Sequence, residues 1–75
     1  MKNNRLKKAR EEKELNQEQL AKLVGAMGKS SVSNWENGYS TPTLETAIRL
    51  ARVLNKDIEF LFGHDVQVTH TNNVS

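Results

Sequence analysis

The chain has 75 residues, 36% hydrophobic and 27% charged, with a formal net charge of +2. That length makes one small domain whose folding buries only about 60–65% of the unfolded surface, so stability should be on the order of 5 kcal/mol. The chain has no Cys, no apolar run near the ~18 residues of a membrane helix, and no signal-peptide core at its start, which argues against disulfides, thiolate metal sites and membrane spans and makes the cytoplasm the expected compartment.

Lys2, Arg5, Lys7, Lys8 and Arg10 precede any acid, and Glu11, Glu12 and Glu14 follow at once. Such a run is ordinarily a solvated helix face with i,i+4 pairs such as Lys8–Glu12; the alternative is a basic helix end set near phosphate. Helix 1 is expected from about Asn4 to Lys13, with Leu6, Ala9 and Arg10 on one side. An Arg on an apolar stripe needs either an outlet to water or a carboxylate partner, because an unpaired buried charge is very unfavourable.

Asn16 is a favoured N-cap for helix 2, and Gln19 stands where a capping-box side chain reaches back. Leu15 and Leu20 suit a hydrophobic staple. Leu20, Ala21 and Val24 then face inward, Leu23 is half exposed, and Gly25 is a natural left-handed terminator. With Gly25 and Gly28 so close, a sharp change of direction is easy. Met27 is expected to plug the angle between helices 2 and 3.

Helix 3 should run from about Lys29 to Glu36, bounded by Gly28 and by Asn37-Gly38. Val32 and Trp35 share its core face. Lys29, Ser30, Ser33 and Asn34 lie opposite, and none is acidic. Short or flexible hydrogen-bonding side chains suit the base edges of a DNA major groove, Asn34 pairing with adenine and Lys29 with guanine. The plainer reading of each is a solvated surface residue. Ser31, beside Val32, fits packing or phosphate, and Tyr39 can reach phosphate through its hydroxyl. Two short helices around a tight Gly-containing turn make a helix-turn-helix.

Asn37 to Thr43 reads as a loop, since no alternating strands flank the Asn-Gly pair. Pro42 keeps Thr41 extended. Thr43 caps helix 4, about Leu44 to Leu54, with Leu44, Ala47, Ile48, Ala51 and Leu54 inward, Leu50 at the edge, and Arg49 and Arg52 outward. Asn55 ends it. Asp57 caps a short helix 5, Ile58 to Phe62, whose Ile58, Leu61 and Phe62 close the core. Phe60 lies off that stripe and is assigned to a dimer contact. The domain is expected to span 1–63. The tail, 64–75, alternates Val66, Val68 and His70 with Gln67 and Thr69, and reads as a flexible end or as a strand pairing across a dimer. His64 and His70 have only Asp65 near them, so neither a metal nor a cofactor is expected. With no nucleophile–base set and no phosphate loop, an enzyme is not expected.

The segments N-R-L-K-K-A-R-E-E-K-E-L-N-Q-E-Q-L-A-K-L-V-G, S-S-V-S-N-W-E-N-G, P-T-L-E-T-A-I-R-L-A-R-V-L and D-I-E-F-L-F-G resemble the Cro/lambda-repressor-like (XRE-type) helix-turn-helix family from Asn4 to Gly63. The spaced motifs L-N-Q-x-x-L-A, V-S-x-W-E-N-G and P-x-L-E-T rarely coincide by chance. The resemblance implies an all-α, five-helix DNA-binding domain that acts as a homodimer on a palindromic double-stranded operator. It places Gln17 on phosphate, Lys29, Ser30, Ser31, Ser33 and Asn34 on the recognition helix, and Asn37 through Thr41 on a second backbone-contacting segment. It also implies a buried ion pair between Arg10 and Glu36. Three departures stand out: one extra residue in Gly25 to Gly28, Lys56 where the family has an apolar side chain, and a recognition face with no Arg. The leading expectation is a transcriptional regulator or repressor of phage, plasmid or bacterial type, controlled by its concentration, by dimerisation or by a separate anti-repressor. The alternative is the antitoxin of a toxin–antitoxin pair that also binds its own operator, although the tail lacks the apolar anchors of a toxin-wrapping segment.

Overall fold

The computed structural model describes residues 2–63. The expected tail strand or flexible end, and the His64/His70 pair, lie outside the described residues. The regular elements among them are five α-helices: α1 (Asn4–Glu12), α2 (Gln17–Leu23), α3 (Lys29–Glu36), α4 (Leu44–Leu54) and α5 (Ile58–Phe62).

Side chains set the starts of α1, α2 and α4. Asn3 Oδ1 accepts the Leu6 N–H at 3.0 Å to open α1. At α2 the capping box is complete: Asn16 Oδ1 accepts the Gln19 N–H at 2.7 Å, and Gln19 Oε1 accepts the Asn16 N–H at 2.8 Å. Each bond satisfies a donor that the helix leaves unpaired. Thr43 Oγ1 accepts the Thr46 N–H at α4. Asp57 corrects the sequence reading in part: it takes the N-cap position of α5 but makes no side-chain capping bond.

The first four helices end in one manner. Glu14, Gly25, Gly38 and Asn55 have φ of 57°, 72°, 79° and 57°. Behind each, paired backbone bonds close the turn, as in Gly25 N–H to the Lys22 carbonyl and Ala26 N–H to the Ala21 carbonyl. This is the Schellman arrangement, which needs one left-handed residue. Gly fills that role without strain at two of the four positions, whereas Glu14 carries a Cβ there.

The core joins Leu6 and Ala9 of α1, Leu20 and Ala21 of α2 with Val24, Val32 and Trp35 of α3, Ala47, Leu50 and Leu54 of α4, and Leu61 and Phe62 of α5. Two expectations fail. The inward stripe of α4 is Ala47, Leu50 and Leu54, so Leu50 is central rather than marginal, while Leu44 and Ile48 are 43% and 38% exposed. Met27 does not plug the α2–α3 angle. It is 100% exposed, and Ala26 packs against the core instead. The closing bond from Ala26 to Ala21 draws residue 26 inward and turns its successor out.

Asn3 ties the start of α1 to α3 and α5. Its N–H donates to the Glu36 carbonyl at 2.7 Å, at the end of α3, and its Nδ2 donates to the Leu61 carbonyl at 2.7 Å, in α5.

Candidate nucleic-acid interface

The site begins with the way α3 is held. Among the helices, α3 packs most extensively on α2. Val32, Trp35 and Glu36 are its buried residues. Val32 and Trp35 join the apolar core, whereas a buried carboxylate demands a partner. Arg10 supplies it: Nε to Glu36 Oε2 is 2.6 Å and Nη2 to Oε1 is 3.2 Å. The side chains are only 11% and 5% exposed. Arg10 Nη1 also donates to the Leu15 carbonyl at 2.8 Å, where α1 gives way to α2. One forked contact thus fixes α1, the α1–α2 turn and α3 together.

Gln17, the first residue of α2, is half-buried and donates Nε2–H to Glu36 Oε1 at 3.1 Å. An amide nitrogen carries two hydrogens, so a second N–H remains for an outside acceptor.

The outward side of α3 is polar and free of acid. Lys29, Ser30 and Asn34 are exposed, while Ser31 and Ser33 are half-buried. Asn37 Nδ2 reaches back to the Ser33 carbonyl at 2.9 Å and to Ser33 Oγ at 3.2 Å. That contact caps the end of α3 and engages one lone pair of the Ser33 hydroxyl, whose own hydrogen still rotates. Tyr39 is 80% exposed just past the helix end. Thr41 is half-buried and, with Ser40, borders a depression of about 480 Å³ whose other rim carries Lys2 and Arg5. The basic start of α1 therefore sits beside the loop that follows α3.

Two further cations shape the surroundings. Arg49 donates to the Val24 carbonyl at 3.4 Å, at the end of α2, and pairs with Glu45 at 3.1 Å. Sequence patterning sends Arg49 simply outward; the bond to Val24 crosses 25 positions and leaves no local signature. Lys56 pairs with Glu12 at 3.3 Å. It and Arg5 both lie 5.4 Å from the centroid of the Phe60 ring. The polar residue at the α4–α5 corner thus finds an acid on α1.

A helix-turn-helix family model matches residues 6–61. The chain is 36% identical over 63 residues to the ImmF control region 10 kDa protein of Bacillus phage phi105, covering 84% of this chain and 69% of that protein. It is 31% identical over 61 residues to the HTH-type transcriptional regulator ImmR of Bacillus subtilis, covering 81% of this chain and 47% of that protein. The chain therefore spans about half of the longer relative. No solved structure matches it significantly.

Proposed function

Since the chain belongs to the helix-turn-helix family, of the Cro/lambda-repressor type, we propose that it is a transcriptional regulator, a repressor, that inserts α3 into the major groove of a double-stranded operator. One observation carries this reading. The exposed side of α3 offers an ammonium, hydroxyls and an amide, while the only carboxylate on the helix is buried and neutralised by Arg10. A duplex surface repels acids and rewards such donors.

In this reading Asn34 pairs with adenine N6 and N7, Lys29 donates to guanine O6 and N7, and Ser30 and Ser33 add single bonds to base edges. Gln17 uses its second N–H on phosphate, and Ser31, Asn37, Tyr39 and Thr41 line the backbone on either side. Phosphate contacts set the register and base contacts set the sequence. Two copies, joined through the exposed side of α5 around Phe60, would read half-sites one helical turn apart.

The test is selection of the purified protein on random duplex DNA at two salt concentrations. The expected result is a palindromic consensus whose affinity falls steeply with salt. A protein that enriches no sequence, or binds every duplex alike, refutes the reading.

A further inference from the structure

Met27 is wholly exposed in a domain with little core to spare. Its turn does not need it. Gly25 supplies the left-handed residue, and Ala26 supplies both the closing backbone bond to Ala21 and the core contact. Met27 instead stands two positions before Lys29. With Glu18, Ala21 and Lys22 of α2 it borders a depression of about 240 Å³ that runs to Gly28 and Lys29, at the start of α3. The exposed Met27 thus stands at the same end of α3 as Lys29 and Ser30, the first two residues of that helix.

The charges around Met27 select what it meets. Lys22 and Lys29 draw a polyanion toward this end of the motif, but Glu18 on the same depression opposes a phosphate seated within it. A neutral apolar group meets no such opposition. In a major groove that group is the 5-methyl of thymine, which protrudes from the base edge and is read by apolar contact. An unbranched, polarisable side chain adapts well to such a contact. The need is real, because the polar face of α3 holds one Lys and no Arg.

We infer that Met27 is a specificity-determining residue that packs on a thymine 5-methyl group at the base pair adjoining those under Lys29 and Ser30. The α2–α3 turn then belongs to the reading surface. The inference rests on the DNA-binding reading above and extends it to a residue outside α3.

The test uses the full chain and the duplex consensus obtained by selection. Each thymine is replaced in turn by deoxyuridine, which lacks only the methyl group, and affinities are measured for the wild type, Met27→Ala and Met27→Leu. At one thymine in each half-site, uracil should weaken the wild type about three- to tenfold. Met27→Ala should lose a similar factor on the thymine duplex and nothing further on uracil, while Met27→Leu keeps most of the discrimination. Melting temperatures should be unchanged, because the side chain touches no core. If the losses from Met27→Ala and from uracil multiply at every thymine, or if Met27→Ala binds like the wild type, the inference fails and the DNA-binding reading survives. A change in self-association with unchanged thymine discrimination would place Met27 between copies of the chain and also overturn it. If the wild type selects no duplex at all, both readings fall.

Discussion

Replacing Glu36 by Ala tests the buried pair most directly. The change removes the forked contact at 2.6 and 3.2 Å and the acceptor of Gln17 at 3.1 Å. It leaves the Arg10 side chain 11% exposed, still donating to the Leu15 carbonyl but stripped of its carboxylate. Stranding one member of a buried ion pair is destabilising by roughly 3–5 kcal/mol. A domain of this size has about 5 kcal/mol in all. The variant should therefore lie close to its unfolding midpoint at room temperature, with a melting temperature lower by about 15–30 °C. Urea titration followed by fluorescence suits the measurement, since Trp35 is the only tryptophan and is largely buried. A second variant separates lost charge pairing from lost packing. Arg10→Met combined with Glu36→Leu strands no charge, and should recover most of the loss or exceed the wild type. If Glu36→Ala melts within about 3 °C of the wild type, the pair does not hold α3, and the account of how the site is positioned is wrong.

Three further outcomes follow from the same geometry. Asn34→Ala should weaken binding by about 1–3 kcal/mol on the selected operator and relax preference at one base pair; equal losses on operator and random duplex would remove Asn34 from base reading. Gly25→Ala should destabilise the domain by about 1–2 kcal/mol, because its φ is +72°. The new Cβ would also stand 2.9 Å from Arg49 Nη1, a flexible tip that can shift; thermal melting checks the loss. Glu14→Gly should act oppositely, raising stability by about 0.5–1 kcal/mol by relieving a side chain held at φ 57°, and a lower melting temperature would show that the Glu14 side chain contributes more than its backbone strain removes.

The helix ends were legible because their chemistry is local. Asn16 with Gln19, Thr43, Gly25 and Asn55 act within a few residues, and they mark ends that the structure places within a residue or so of expectation. The rotation of α4 was not legible, because Leu44, Ala47, Ile48, Leu50, Ala51, Val53 and Leu54 spread apolar groups over more than half of its circumference, far wider than one buried stripe. Only packing into the shared core, with α5 against α4, decides that Leu50 goes in and Ile48 half out. Met27 misled for a related reason: in a small domain a large apolar side chain is assumed to fill space, whereas the turn geometry filled it with Ala26. At the candidate site, the polar composition of the α3 face could be read from spacing alone. The bond from Gln17 to Glu36, the engagement of Ser33 by Asn37, and the reach of Arg49 to Val24 could not, since each depends on how separate segments meet or on a rotamer. Arg10 lay between these cases. Its place on an apolar stripe posed the question of a partner, and only the family resemblance pointed to Glu36.

The bonds made by Asn3 carry a consequence for the order of folding. Its amide meets the Leu61 carbonyl across a separation of 58 positions, while the helices themselves and the turns between them close over short spans. Short closures are fast and a closure of this reach is entropically expensive, so it comes last. A chain emerging from the ribosome can wind α1 through α4 early, yet it cannot latch Asn3 to α5 until Leu61 has been synthesised. The same residue's bond to the Glu36 carbonyl needs only the chain up to the end of α3, so the start of α1 can be tied to α3 well before α5 is latched in place.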